Sequence, residues 1–229
     1  MNVDADAWEA LRLSLWVACW ATVLAVPLAL WVAWVLARKT FWGKSALNAL
    51  VHLPLVLPPV VTGYVLLLLF GRTAPLGQAL EAVGLRLAFH WTGAVLAAIV
   101  MGFPLMVRAM RLAIEAVDPK LEEAAATLGA PHSAVFVRVT LPLIAPGILA
   151  GAVMGFAKAM GEFGATITFV ANIPGQTQTL PSAIWTALQI PGAEGQVVMM
   201  VLLACVVAIG AVVLSEALAR RVAAKIAGT

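Results

Sequence analysis

The stretch "LEEAAATLGAPHSAVFVRVTLPLIAPG", Leu121 to Gly147, decides how this 229-residue sequence is read. It sets two carboxylates, a run of alanines, a glycine, a proline and a histidine between two apolar blocks. The chain around it is 63% hydrophobic and only 11% charged. So few charges cannot solvate the surface of a water-soluble globule, so part of the solvent must be lipid. The mean hydropathy of +1.01 points the same way. A formal net charge of +3 is too small to indicate nucleic acid as a partner. Cys19 and Cys205, the two cysteines, lie inside apolar runs and suggest neither a disulfide framework nor a thiolate metal site.

Outward from the stretch lie five apolar blocks: residues 11–37, 46–70, 91–107, 141–170 and 197–219. Each reaches the roughly 17–25 helical residues that cross a bilayer. Lipid offers no partner to a stray backbone N–H or C=O, so continuous blocks of this length predict helices, not barrel strands. The expectation is an all-α integral membrane protein, one domain over residues 1–229 with about five spans. The N-terminal "MNVDADAWEA" is acidic and lacks the basic region of a secretory signal. The apolar run behind it is too long for a signal core, so it reads as a retained span. Pro54, Pro58 and Pro59 predict a bend or local unwinding in the second block, with freed carbonyls turned to neighbours or a watery cavity.

Lysine and arginine orient the spans. Arg38, Lys39, Lys44, Arg108, Arg111, Lys120, Arg138, Arg220, Arg221 and Lys225 fall on one side, against Arg12, Arg72 and Arg86 on the other. Ten against three predicts an external N-terminus, a cytoplasmic C-terminus and a cytoplasmic loop at residues 115–142. The loop over residues 171–196 carries no Lys or Arg. Trp8, Trp42, Trp91 and Trp185 lie near block ends, where indoles favour the interface.

Within the opening stretch and its lead-in, "VDPKLEEAAATLGA" reads as a short helix with both ends marked. Asp118 can cap it, Pro119 suits its first position, and Glu122 and Glu123 complement its N-terminal dipole. Leu121, Ala124, Ala125 and Leu128 form one narrow apolar face. Gly129 can take the left-handed conformation that ends a helix, and Pro131 stops continuation. A second short helix follows over residues 131–137. By amphipathicity alone this is an interfacial connector lying on the membrane. Its small alanines also allow another protein to approach closely, with the two carboxylates meeting donors at that protein's rim.

The spacing favours the second reading. Glu123-Ala124-Ala125, three residues, Gly129, nine residues, then Val139-Thr140-Leu141-Pro142 resembles the EAA motif of bacterial ABC-importer permeases. Val139 stands where that motif has isoleucine. The resemblance implies the type I permease fold and a coupling helix that docks on a cytoplasmic ATPase. Glu122, Glu123, Ala124, Ala125, Gly129, Leu141 and Pro142 would carry the coupling. The chain has no G-x-x-x-x-G-K-[ST] phosphate loop, so ATP hydrolysis would fall to a partner chain.

"VHLPLVLPPVVTGYVLLLLFG", "FPLMVRAMRLAIEAVD" and "GEFGATITFVANIPGQTQTLPSAIW" extend the likeness over nearly the whole chain, and together resemble the molybdate permeases of this family. That resemblance implies a permease homodimer in the bacterial cytoplasmic membrane, two copies of an ATPase, an extracytoplasmic molybdate-binding protein, and no cofactor. Tungstate or sulfate/thiosulfate permeases share the architecture and stay open as alternatives. A proton-coupled carrier would need no such loop and commonly shows an inverted repeat, which is not evident here. A non-transporting membrane scaffold is the remaining alternative.

Lys158 and Glu162 are the full charges deep in a predicted span, four residues apart and able to pair. They read either as a pathway position, with Lys158 attracting an oxyanion, or as a lock on helix packing. Pro58 and Pro59 join them as candidate pathway positions. Gly147, Gly151 and Gly155 form a ladder of small residues for close helix approach, favouring packing within one subunit over a dimer seam. His52, His90 and His132 are scattered and make no metal site.

Overall fold

The computed structural model describes residues 3–227. Side chains of the acidic N-terminal Asp4 and Asp6, and of Arg220 and Lys225 in the basic tail, lie outside the described residues. The elements are α1 (Val3–Arg38), α2 (Lys44–Val56), α3 (Pro59–Phe70), α4 (Pro75–Ala82), α5 (Trp91–Glu115), α6 (Pro119–Thr127), α7 (His132–Val135), α8 (Leu141–Met160), α9 (Gly164–Val170), α10 (Leu180–Ala187) and α11 (Glu194–Ala227). A π-helical turn, Phe136–Thr140, joins α7 to α8. No strand occurs among the described residues.

The centre of the bundle is α1, α5 and α8, which pack on one another. Small side chains set that arrangement. Ala18, Ala21, Ala25, Ala29 and Ala33 recur every three or four residues on α1, and all are buried. A row of methyl groups at helical spacing lets a neighbouring backbone approach where lipid supplies no hydrophobic drive between helices. Across the α5–α8 seam, a Cβ on Gly147 would strike Ala113 and one on Gly155 would strike Met106. One on Gly151 would sit 3.2 Å from the Met106 carbonyl. The glycine ladder therefore serves packing within the chain, the favoured of its two readings.

Among the described residues, four helices are long and apolar enough to span a membrane, and the pair α2 and α3 makes a fifth crossing if counted together. The second block departs furthest from a straight span. Its two halves meet at 114° across Leu57 and Pro58. Neither half, at 13 and 12 residues, reaches alone across a hydrocarbon core about 30 Å thick at about 1.5 Å per residue. Pro58 and Pro59 supply no backbone N–H, so the ladder stops where the sequence places them.

Two expectations need correction. The fourth block, 141–170, is not one helix: α8 ends at Met160 and α9 starts at Gly164. The segment 171–196 is not simply a loop, because it contains α10, whose Leu180, Ser182, Ala183 and Ala187 are buried. Eight residues are too few to show as a span, and Ser14 of α1 fixes the helix by accepting from Leu180 N at 2.7 Å. Outside this core, α11 exposes Val198, Leu202, Val206, Ile209, Val213 and Leu214. Such an apolar belt suits lipid or another apolar chain. Trp8, Trp42 and Trp185 are exposed, as interfacial indoles are, whereas Trp91 is partly buried beside Trp16.

Candidate functional site

Two places stand out, one at the basic end of the bundle and one between broken helices. At the first, α6 forms as its residues dictate. Asp118 Oδ1 accepts from Lys120 N at 2.9 Å, and Pro119 opens the first turn. Gly129 takes φ +86°, with Gly129 N donating to Ala126 O and Ala130 N to Ala125 O. This pair of bonds is the Schellman closure, which needs a residue that tolerates positive φ.

None of α6 is buried by the rest of the chain. Leu121 is 49% exposed and Leu128 89%, so the apolar face is open. The two carboxylates divide. Glu123 is exposed and makes no bond with the described residues. Glu122 turns inward: its Oε1 accepts from Arg38 Nη2 at 3.2 Å and from Thr140 Oγ1 at 2.7 Å. The expectation that both carboxylates face outward is therefore corrected for Glu122, which is engaged within the chain, while Glu123 is left exposed. Ala124 is exposed and Ala125 half-covered.

Leu141 and Pro142 open α8 directly behind the π-helical turn. Pro142 lacks the N–H that would close on the Arg138 carbonyl, and its ring crowds that oxygen. The ladder relaxes by one residue, and Leu141 N donates to Phe136 O instead.

At the second place, the break after α8 is held by Glu162. This side chain is 2% exposed and accepts from Lys158 Nζ at 2.6 Å and from Ala165 N at 2.9 Å. It thus both pairs with the lysine and caps α9. Lys158 remains 29% exposed. The two broken helices meet here. A Cβ on Gly164 would lie 2.7 Å from Pro59 Cβ, and one on Gly63 would lie 2.5 Å from the Ala165 carbonyl oxygen. Pro59 therefore sits against the residue two beyond Glu162, with Pro58 next to it. Sequence reasoning passed over Thr62, which is buried beside Gly63 with an Oγ1 that has no partner. A lone threonine in an apolar run gives no signal of this kind.

A cavity of about 420 Å³ opens near the start of α1, lined among others by Glu9, Arg12, Trp16 and Gln178. It shares no residue with either place. Two of the three histidines have local bonds: His52 Nδ1 with the Asn48 carbonyl at 2.8 Å and His90 Nδ1 with Thr92 Oγ1 at 2.8 Å.

A multi-pass α-helical membrane protein with two facing broken helices, a buried ion pair at one break and an open surface helix at its basic end has the build of a transport permease. The chain belongs to the binding-protein-dependent transport system inner membrane components, whose family pattern matches residues 25–224. It is 52% identical over 221 residues to the molybdenum transport system permease protein ModB of Escherichia coli (strain K12), covering 96% of each chain. It is also 52% identical over 219 residues to ModB of Haemophilus influenzae, covering 95% of this chain and 96% of the relative. The fold is similar to that in the crystal structure of a bacterial alginate ABC transporter in complex with an alginate pentasaccharide-bound periplasmic protein. The TM-score is 0.75 at 19% identity, over 93% of this chain and 78% of that one.

Proposed function

We propose that this chain is the membrane-spanning permease subunit of an ATP-driven importer that carries molybdate across the bacterial cytoplasmic membrane. The observation that carries the reading is the 52% identity to molybdenum permeases along 96% of both lengths. Two copies pair around a central pathway, and each docks one ATPase on the exposed face of α6. An extracytoplasmic binding protein delivers the anion. The permease alternates between an outward- and an inward-open state, and ATP and loaded binding protein each favour one of them. Lys158, Glu162, Pro58 and Pro59 line or shape the pathway. Binding there is weak enough for release.

A cytoplasmic α6 is part of this reading and is supported by the ten-to-three division of Lys and Arg. Reporter fusions after Lys44, near Arg138 and after Lys225 should report cytoplasm, and fusions near Glu81 and Glu194 the outside. A cytoplasmic signal at Glu194 overturns the five-crossing arrangement.

The function is tested in vesicles holding the permease, its ATPase and the binding protein. Molybdate uptake should require internal ATP, with a loaded binding protein outside, and excess sulfate should leave it unchanged. Uptake that follows a proton gradient without ATP replaces the reading with a secondary carrier. Equal delivery of sulfate removes the assignment of substrate.

A further inference from the structure

No residue of α6 is fully buried, and the helix touches α7 and the π-helical turn, so polar bonds matter to how it is held against the rest of the bundle. Covalently it hangs from α5 through residues 116–118 and leads to α8 through α7 and the π-helical turn. It has no such link to α1, which lies 84 residues away along the chain at the point where they meet. What joins them is Arg38, the last residue of α1. Its Nη2 donates to Glu122 Oε1 at 3.2 Å and to the Val117 carbonyl at 3.3 Å. The same Glu122 oxygen accepts from Thr140 Oγ1 at 2.7 Å, and Thr140 is 1% exposed at the head of α8. One carboxylate oxygen therefore ties α6 to α1 and to α8 together. Among the described residues, Arg38 is the side chain that hydrogen-bonds α1 to α6.

Further contacts surround this joint. Trp34 of α1 meets Phe136 of the π-helical turn edge-on, with ring centroids 6.5 Å apart, and Lys39 Nζ lies 5.0 Å from the Trp34 ring. Arg38 Nε is buried and already without a partner. If α6 shifted by 1–2 Å alone, a displacement on the scale of interface helix shifts, both bonds to Glu122 would pass out of hydrogen-bond range. The guanidinium would then keep only its carbonyl contact, in a site that excludes most water. Leaving a partly buried charge without its counter-ion is the costlier outcome, so α1 and α8 follow α6.

From this geometry we infer that Arg38, Glu122 and Thr140 are positioning residues that transmit movement of α6 to α1 as well as to α8. The inference rests on the proposed role of α6 as the surface docked by an ATPase, and goes beyond it. The EAA-like resemblance already covers Glu122 and Thr140; what the structure adds is Arg38, 84 residues distant, and the bonds that link α1 to that loop.

The test uses the full complex of permease, ATPase and binding protein in vesicles, and reads anion delivered per ATP hydrolysed. Arg38→Gln should retain its co-purified ATPase and its hydrolysis, while anion per ATP falls roughly two- to thirtyfold, the range that single network residues contribute to coupling. Thr140→Val, which keeps the ion pair, should lower the ratio about twofold. Arg38→Lys, which keeps the charge, should recover most of the loss. Arg111→Gln is the control: Arg111 bonds Glu115 and Asn48 and, among the described residues, makes no hydrogen bond or ion pair to α6. An unaltered ratio in Arg38→Gln, or an equal loss in Arg111→Gln, overturns the joint. If Arg38→Gln does not assemble, Thr140→Val decides, and a wild-type ratio there overturns it. Running the unaltered complex with molybdate- and sulfate-loaded binding proteins separates the two ideas. A complex that delivers sulfate alone overturns the substrate and still reads the joint through sulfate per ATP. One that delivers neither overturns both.

Discussion

Lys158→Ala is expected to be among the most damaging single changes in the chain, because it strands Glu162. That carboxylate is 2% exposed, and Lys158 is the cation within reach of it at 2.6 Å. Removing one member of a buried pair costs about 3–5 kcal/mol, and the lower part of that range applies here since the lysine is 29% exposed. Thermal unfolding in detergent should report the loss directly. Changing both members to apolar residues is often neutral for such pairs. Glu162 also accepts from Ala165 N at the head of α9, however, so an apolar residue there would uncap that helix. Lys158→Met with Glu162→Gln is the cleaner pair, because glutamine keeps an acceptor for Ala165 N while both charges go. Two outcomes follow for function. If this double variant assembles and takes up molybdate at the wild-type rate, Lys158 has no anion-attracting role and the pair is a lock on the break. If it assembles with normal stability and uptake collapses, the lysine belongs to the pathway.

Local features of this fold were legible in the sequence and distant ones were not. The helix Pro119–Thr127 follows from Asp118, Pro119 and Gly129, because caps act within four residues of the group they satisfy. The bend at Leu57 and Pro58 likewise follows from two adjacent prolines that donate nothing. The break at Gly161–Phe163 carries no proline. A charged side chain folds back onto Ala165 N there, and its four-residue spacing to Lys158 reads equally well as an uninterrupted helix face. The buried face of α10 depends on Ser14, 166 residues earlier. For the same reason Glu122 could be placed on the right helix from its sequence and still be assigned the wrong neighbours. Its helix position is a local property, whereas its bonds to Arg38 and Thr140 are properties of the bundle. What the prolines and caps fix is where helices stop. Which stopped ends meet is decided by small residues such as Gly63 and Gly164, whose role shows only when the opposing backbone is in view.

Gly129→Val is expected to abolish uptake while leaving membrane insertion intact. Gly129 holds φ +86°, and nothing lies within 4 Å of where a side chain would start. The penalty is therefore conformational and not steric against neighbours. A β-branched residue in the left-handed region costs about 1–2 kcal/mol or more, enough to favour another exit from α6. Losing that exit releases the bonds from Gly129 N to Ala126 O and from Ala130 N to Ala125 O, and tilts the open face carrying Leu121 and Leu128. In the proposed role that face seats the ATPase, so the variant should lose co-purification with it, or keep it while uptake no longer follows ATP hydrolysis. Gly129→Asn, which tolerates positive φ, should retain much of the wild-type uptake, a rescue that a simple loss of flexibility does not predict. Glu123→Lys tests the same seat by charge, since Glu123 is the exposed member of the two carboxylates. It should weaken ATPase capture, at only a small cost to the helix from a cation near its N-terminal end. A mere membrane-surface connector predicts the opposite for both: normal assembly and normal uptake. Pull-down of the ATPase and molybdate uptake, measured in the same Gly129→Val membranes, separate the two, and wild-type values for both would sink the coupling role of α6.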